Sequence, residues 1–229
     1  MTAKPQFPLY LASSSPRRQQ LLTRAGIPFE LLIAPVDEEA LTAEFLGPLE
    51  ELGQHLATAK ALEARAALVK QRKWGRILAA DTTVLLGGRS LAKPRDLQEA
   101  AVMLAALRSQ EHIVATGVAL ADENGCVKAA TSRTRVRMRD YSDAEIARYV
   151  ATGDPLDKAG AYSIQHPDFY PVERVYGCYL GVMGLPMCLV AALLRRTELP
   201  GAGGCPWSGA CTPPFPISDP GKFAADALT

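Results

Sequence analysis

The sequence SSSPRR at positions 13–18 marks the point where a predicted strand gives way to a predicted helix. Phe7–Ala12, just before it, predicts a short buried strand, and apolar residues after it recur at helical spacing until Gly26. Ser15 is a favourable N-cap, and Pro16 suits the first helical position because its missing N–H would have had no partner there. The stretch therefore predicts a β-strand that leads directly into a capped helix.

Two arginines, Arg17 and Arg18, follow in the first turn of this helix, where the helix dipole already carries its positive end. Each cation is unfavourable there by about 0.3–1 kcal/mol. A bound anion reverses the sign, because backbone N–H groups, serine hydroxyls such as that of Ser13 and two guanidinium groups converge on it. We therefore predict a phosphate cradle; the alternative is an ordinary capped helix with exposed arginines.

The composition bounds the class of protein. A chain of 229 residues with 48% hydrophobic and 21% charged residues is long enough for one large α/β domain or two small lobes. Its net charge of +1 argues against a broad basic surface, so we expect no nucleic acid polymer as partner. No apolar run reaches the length of a membrane span and the N-terminus lacks the pattern of a signal peptide, so we expect a cytoplasmic protein with no membrane partner. Five cysteines without a C-x-x-C pair are expected to be reduced thiols.

Several common catalytic motifs are absent from the sequence. It contains no G-x-x-x-x-G-K-[ST] loop, no G-x-S-x-G elbow and no H-E-x-x-H pair. The histidines at 55, 112 and 166 have no ligand-like spacing. A P-loop ATPase, a histidine-based triad and a zinc hydrolase are therefore unsupported.

Acidic residues occur at two unusual places. Asp81 lies inside the apolar run Arg76–Leu86, where an unpaired buried carboxylate is costly unless it is held for a purpose. Asp37–Glu39 follows a second predicted strand at Phe29–Ile33. A solvated acidic cluster is the alternative there, and the functional interpretation is a carboxylate that holds a divalent cation next to phosphates.

Two lysines lie beside predicted secondary structure. Lys60 borders the apolar stripe of a long predicted helix, Glu50–Lys70, although a lysine on a helix is usually solvated. Lys93 falls in a loop between a strand and a helix with an Asp96–Glu99 capping box, a usual place for a residue that contacts a ligand. The predicted stripe consists of Leu52, Leu56, Ala59, Leu62, Ala66 and Val69.

The second half of the chain predicts a hairpin, a loop and a tail. Two long strands, His112–Ala121 and Cys126–Arg139, are joined by an Asn-Gly turn, and the alternating arginines of the second strand favour a solvated edge strand. The unusually long loop Gly153–Tyr170 is typical of a functional segment. Tyr176–Leu185 favours a strand, and Pro186 opens the last helix. We expect a domain over 1–196 and a Pro- and Gly-rich tail over 197–229 that is extended or disordered.

Seven segments from Leu9 to about Arg196, taken in order, resemble the Maf family of nucleoside triphosphate pyrophosphatases. They are LASSSPRRQQLL at 11–22, VDEE at 36–39, LATAKA at 56–61, AADTTV at 79–84, AKPRD at 92–96, DPLDKAGAYSIQ at 154–165 and GVMGLP at 181–186. The resemblance implies an elongated, two-lobed α/β fold with a mixed sheet and a deep central cleft, similar to that of the inosine triphosphate pyrophosphatases. It also implies hydrolysis of a nucleoside triphosphate to the monophosphate and pyrophosphate with a divalent cation, often in a homodimer.

The resemblance and the chemistry of the side chains together assign roles. Arg17, Arg18, Lys60 and Lys93 supply cations for the triphosphate, and Ser13 closes the cradle. Glu38 and Asp81 are expected to bind Mg²⁺ or Mn²⁺ as hard oxygen ligands. By resemblance Asp81 is also the catalytic proton acceptor for the attacking water, or the group that orients that water. The chain departs from the family pattern at His166, where glycine is usual, and at Cys178 and Gly181, where serine and asparagine are usual.

The preference for a base also rests on the resemblance. A pyrimidine-preferring group of the family combines the residue types found here at Arg17, Thr82 and Gln165, which we expect to bind substrate. Uracil and thymine present an N3–H donor beside an O4 acceptor, and a glutamine amide complements both. We therefore predict dTTP and UTP as preferred substrates. The alternatives are a non-catalytic nucleotide-binding regulator linked to septum formation, and a pyrophosphatase for modified purine nucleotides such as 7-methyl-GTP.

Overall fold

The computed structural model describes residues 7–194 and 215–216, which form an α/β protein built on one mixed sheet. The strands, numbered along the chain, are β1 (Leu9–Leu11), β2 (Glu30–Leu31), β3 (Arg76–Leu86), β4 (Arg89–Leu91), β5 (Glu111–Ala121), β6 (Val127–Met138), β7 (Val172–Tyr176) and β8 (Phe215–Pro216). Their order across the sheet is β2-β1-β3-β5-β6-β7-β8, with β4 paired to β3. β1 runs parallel to β2 and β3, and the other pairs are antiparallel. The predicted α/β class and mixed sheet are therefore confirmed.

Helices follow most of the predicted positions. They are α1 (Pro16–Arg24), α2 (Glu38–Ala43), α3 (Leu52–Lys70), α4 (Leu97–Leu107), α5 (Asp143–Val150), α6 (Tyr179–Val182) and α7 (Met187–Leu194). Short 3-10 turns at Asp154–Asp157 and Ala159–Ala161 give the long predicted loop much of its order. In the part of the chain that the structure describes, no helix combines the length and apolarity that crossing a membrane requires.

Alternate residues of the central strands face opposite sides of the sheet and build two hydrophobic cores. Leu78 and Ala80 of β3 belong to the larger core, which also contains buried residues of α1, α4, α5, α6 and α7. Ile77 and Ala79 of the same strand belong to the smaller core, which α3 covers alone. The sheet is therefore covered on both faces, and α3 lies on the face opposite α1, α4, α5, α6 and α7.

The buried face of α3 includes Leu52 and Leu56 of the predicted stripe but departs from the stripe further along the helix. Leu62 and Val69 are 47% and 44% exposed, whereas alanines and Gly53 face the sheet. The reason is a close approach of helix to sheet: a Cβ on Gly117 would lie 2.1 Å from the backbone N of Gln54, and a Cβ on Gly53 would lie 2.9 Å from the Asp81 carbonyl. Leucines at these contacts would hold the helix away, so small residues occupy them.

Two predictions for the second half of the chain were wrong. The segment predicted as a strand over Tyr176–Leu185 contains only the end of β7 and then turns into α6, because an apolar, glycine-spaced run is compatible with either state. The predicted edge strand is wrong for the last part of β6, because Arg135–Met138 pair with β7, whereas the earlier residues of β6 pair, among the described strands, only with β5. The arginines of β6 remain partly exposed, as predicted, and lie near carboxylates, for example Arg133 Nε at 2.7 Å from Glu50 Oε2.

Three further predictions concern the N-cap of α1, the end of the last helix and the tail. Ser15 occupies the N-cap position of α1 as predicted, but its side chain makes no capping hydrogen bond. The predicted extension of the last helix to Arg196 and almost all of the tail lie outside the described residues. Phe215–Pro216 is the exception, because its backbone pairs with Arg174 and Val175 of β7.

Candidate active site

A cavity of about 820 Å³ lies where the start of α1, the acidic helix α2, the middle of β3 and the loop before β7 meet. Every residue assigned to the site from the sequence lines this cavity, namely Ser13, Arg17, Arg18, Glu38, Lys60, Asp81, Thr82, Lys93 and Gln165. These residues come from six separate segments of the sequence, so the fold brings them together. Their arrangement divides into an anion-binding wall and an acidic wall.

Arg18 is the fixed cation of the anion-binding wall. Its Nε donates to the carbonyl of Gly184 at 2.8 Å, its Nη1 to Ser13 Oγ at 2.9 Å, and its Nη2 to Thr82 Oγ1 at 3.2 Å. Burial lowers the pKa of the Arg18 guanidinium from its ordinary value, and the negative charge of Asp81 acts in the opposite direction. A guanidinium carries five N–H donors, so two of them are left for an anion in the cavity.

Arg17 and Lys93 are the less constrained cations of this wall. Both line the cavity, and within residues 7–194 neither forms an ion pair with a carboxylate. Lys93 is exposed in the loop between β4 and α4, as its sequence position predicted. Two cations without a carboxylate partner in that range, beside a third that is fixed by three hydrogen bonds, suit a ligand with several phosphate groups.

The acidic wall is organised by Lys60. Its Nζ lies 2.6 Å from Asp81 Oδ1 and 3.0 Å from Glu38 Oε1, and the side chains of Lys60 and Asp81 are only 15% and 14% exposed. Lys60 is therefore not a solvated helical lysine, because the close packing of α3 on β3 places it over the strand. Asp81 is the mid-strand acid that the sequence singled out, and Lys60 is the cation that makes its burial tolerable.

The two predicted metal ligands fit a divalent cation, although they offer only part of a coordination shell. Glu38 and Asp81 both contact the single ammonium of Lys60, so their oxygens already converge on one positive charge. Among the residues that the structure describes, no group of three or more His, Cys, Asp or Glu side chains is placed to hold a metal ion. Mg²⁺ commonly takes one or two carboxylates and completes its shell with phosphate oxygens and water, which matches this donor set.

Thr82 and Gln165 lie at other points of the same cavity. Thr82 Oγ1 is 3.0 Å from the hydroxyl of Thr116 on β5, besides accepting from Arg18. Gln165 lies four residues after the second 3-10 turn of the long loop and forms a hydrogen bond with Tyr179 on α6. Burial raises the pKa of Tyr179 to about 12, against the smaller opposing effect of that hydrogen bond. Gln165 is thus held between the loop and α6.

His166, which follows Gln165 and replaces the glycine usual in the family pattern, lies outside the cavity. It does not line the cavity, and its ring packs edge-on against Tyr149 with centroids 4.7 Å apart. Its Nδ1 accepts hydrogen bonds from the backbone N–H groups of Asp168 and Phe169. The histidine side chain therefore orders the turn that follows Gln165 and does not enter the cavity.

The sequence reasoning missed two polar residues of the site. Lys158 lines the cavity and is 6% exposed, with its Nζ bound to the carboxylates of Asp154 and Asp157. The sequence contained an indication of this, since acids precede Lys158 at positions i−4 and i−1 in the long loop. Thr116 is fully buried and connects Thr82 to α6. Nothing in the sequence distinguishes Thr116 as part of the site, because threonine is common inside β-strands.

The fold and the cavity define an α/β protein whose cations and paired acids are arranged for a polyanion such as a nucleotide. The sequence profile described as Maf-like protein matches residues 8–197. The chain belongs to this family, and the resemblance inferred from its motifs is confirmed.

Curated relatives share nearly their whole length with this chain. A dTTP/UTP pyrophosphatase of Cupriavidus metallidurans is 46% identical over 195 residues, which cover 83% of this chain and 97% of that protein. Proteins of the same name from Burkholderia lata and Ralstonia nicotianae are 47% and 44% identical, over 83% and 86% of this chain and 93% and 98% of their own lengths.

Among solved structures, a nucleoside-triphosphatase (dITP/XTP pyrophosphatase) of Mycobacterium abscessus matches with 18% identity and a TM-score of 0.34, over 57% of this chain and 72% of that one. An overlap of that extent supports no argument about the site.

Proposed function

We propose that this protein hydrolyses nucleoside triphosphates, with dTTP and UTP preferred, to the nucleoside monophosphate and pyrophosphate. The observation that carries the proposal is that a fixed arginine, three further cations and a lysine-bound aspartate converge in one cavity large enough for a nucleotide. The names of the curated relatives support both the reaction and the choice of base. A cytoplasmic site of action and a homodimer belong to the same proposal, and both rest on the resemblance to the family.

In this proposal the triphosphate lies along the anion-binding wall. Arg18, held on three sides, fixes the geometry of the phosphate chain through its remaining N–H groups. The Ser13 oxygen accepts from Arg18 and from the backbone N–H of Ser15, so its own hydrogen is left to donate to a phosphate oxygen. Arg17 and Lys93 neutralise the leaving pyrophosphate.

Asp81 faces the reacting phosphorus from the acidic wall. Its carboxylate accepts the proton of the attacking water or orients that water, while Lys60 holds the carboxylate in place through the 2.6 Å contact. A Mg²⁺ or Mn²⁺ ion held by Glu38 and Asp81 would supply charge neutralisation at the phosphates. A pure binding protein has no need of an acid at this position, and that is the reason to prefer an enzyme over a nucleotide-binding regulator.

The base lies against the loop that carries Gln165. The amide offers an acceptor and donors to the N3–H and O4 of uracil or thymine. Its hydrogen bond with Tyr179 limits the rotation of the amide and so favours one set of partners. Guanine also presents an N–H beside a carbonyl, so exclusion of purines is left to the shape of the cavity.

Phosphorus NMR of the first turnovers tests the reaction. Pyrophosphate and monophosphate are expected together, with neither free phosphate nor diphosphate early in the reaction. Early inorganic phosphate would instead identify a γ-phosphatase, and no product from any nucleotide and metal would favour the regulator. A screen of common and modified nucleoside triphosphates tests the base, and a clear preference for 7-methyl-GTP would overturn the pyrimidine assignment.

A further inference from the structure

Thr116, a fully buried residue of β5, fixes the direction of a chain of hydrogen bonds beneath the cavity. Its Oγ1 lies 2.7 Å from the carbonyl oxygen of Gly181 on α6. A carbonyl can only accept, so the hydroxyl hydrogen of Thr116 is committed to that bond. The 3.0 Å contact between the hydroxyls of Thr116 and Thr82 therefore has one possible direction, in which Thr82 donates.

The hydrogen of Thr82 is thus turned away from the cavity, and its oxygen is turned towards donors. One lone pair of that oxygen accepts from Arg18 Nη2 at 3.2 Å. Ser13, on the other side of the same guanidinium, has the opposite arrangement, because its oxygen accepts twice and its hydrogen is left over. The two hydroxyls that hold Arg18 consequently offer a substrate different chemistry.

We propose that Thr116 is a positioning residue that fixes Arg18 through Thr82 and makes Thr82 an acceptor only. The sequence suggested Thr82 as a direct substrate contact; its committed hydrogen excludes a bond to an unprotonated phosphate oxygen. Any substrate group that Thr82 binds is a hydrogen-bond donor, such as a sugar hydroxyl or a base N–H. The inference rests on the proposed function for its kinetic readout, although not for its structural one.

The first test compares two substitutions at one position. Thr116→Val keeps the shape of the side chain and removes the hydroxyl, so we expect kcat/KM for dTTP to fall roughly tenfold, as the loss of one hydrogen bond that acts on a charged group implies. Thr116→Ser restores the hydroxyl and is expected to recover most of that loss. An equal loss in both variants would mean that packing rather than hydrogen bonding matters, and would overturn the proposal.

The second test asks whether Thr116 acts through Arg18. Arg18→Lys removes the Nη2 donor, so the effect of Thr116→Val on kcat/KM should nearly vanish in that background. Thr134→Val is the matched control, because Thr134 is also buried and its hydroxyl also binds the α6 region, through the backbone N and O of Cys178 at 3.0 and 3.3 Å. Its effect should multiply with that of Arg18→Lys. If the effects of Thr116→Val and Arg18→Lys multiply as well, the relay is refuted.

A structural readout separates this inference from the proposed function. The side-chain Nη2–H signal of Arg18, the donor to Thr82, should exchange slowly with water in proton–nitrogen NMR of the parent protein, and faster in Thr116→Val but not in Thr134→Val. An inactive parent with this pattern would refute the proposed function and leave the relay standing. An active parent in which Thr116→Val changes neither the exchange nor kcat/KM would do the reverse. Should Thr116→Val not fold, Thr82→Val breaks the same link from the cavity side and must reproduce both effects.

Discussion

Replacing Asp81 by asparagine separates catalysis from binding. The variant keeps the size of the side chain and loses the charge 2.6 Å from Lys60 Nζ. Loss of a positioned acid–base group typically lowers turnover by about a hundredfold or more, which corresponds to roughly 2.7 kcal/mol at about 1.36 kcal/mol per factor of ten. We therefore expect Asp81→Asn to reduce kcat for dTTP by at least about a hundredfold.

The structure also predicts what Asp81→Asn leaves intact. Lys60 keeps its second partner, Glu38 at 3.0 Å, so the buried ammonium is not left unpaired, and the free energy of unfolding should fall by only about 1 kcal/mol. The anion-binding wall is untouched, so triphosphate affinity should largely survive. Steady-state kinetics, calorimetric binding and urea unfolding measure the three quantities.

The control for Asp81→Asn is Asp143→Asn, which makes the same chemical change at an 88% exposed carboxylate paired with Arg108 outside the cavity. Its turnover should match that of the parent protein. Full turnover in Asp81→Asn would remove Asp81 from the mechanism, and loss of triphosphate binding would mean that the carboxylate organises the site rather than the chemistry.

Four further outcomes are expected. Gln165→Glu should shift preference away from UTP in a substrate screen, because a carboxylate cannot donate to O4; an unchanged ranking would exclude Gln165 from base recognition. A chelator should abolish turnover, and Mg²⁺ or Mn²⁺ should restore it; activity undiminished in chelator would contradict the metal assignment. Truncation after Arg196 should leave kcat/KM unchanged, since β7, to which the tail pairs, does not line the cavity; strongly reduced activity in a soluble truncated protein would show that the tail completes the site. Burial holds the pKa of His112 at about 4, below its ordinary 6.5, so the unfolded chain binds more protons between these values and stability should fall as pH drops from 6.5 to 4. In His112→Gln, urea unfolding should show a weaker dependence of the free energy of unfolding on pH. An unchanged dependence would mean that other groups cause it.

The sequence predicted the parts of the site whose residue types conflict with their surroundings. Asp81 within an apolar strand and the arginines in the first turn of α1 are locally unfavourable, so their chemistry could be inferred before their partners were known. What could not be predicted is how these residues connect. The role of Lys60 as the shared partner of Asp81 and Glu38 depends on how closely α3 approaches β3. That distance cannot be predicted from the spacing of residues along one helix.

The errors in secondary structure have a similar origin. The stripe that counted Leu62 and Val69 as buried assumed that large apolar residues mark the packed face. The middle of the helix instead packs through Ala57, Ala61 and Ala64, so Leu62 and Val69 at the margin are left exposed. Tyr179–Val182 is helical although its residues suit a strand, and it is held against the sheet by the contacts of Gly181 with Thr116 and of Cys178 with Thr134, which the sequence does not contain.

The contact between α3 and the sheet has a mechanical consequence. At Gly53 and Gly117 the helix touches the sheet backbone to backbone, with no side chain between them to compress or rearrange. Lys60 lies about two turns, or roughly 10 Å, further along the same rigid rod. A methyl group added at Gly117 would push the N-terminal part of α3 away from the sheet, while the buried Leu68 holds its C-terminal part in place. The tilt of the helix would move the Lys60 ammonium away from the Asp81 carboxylate. The alignment of these two groups therefore depends on Gly53 and Gly117, two residues without a side chain.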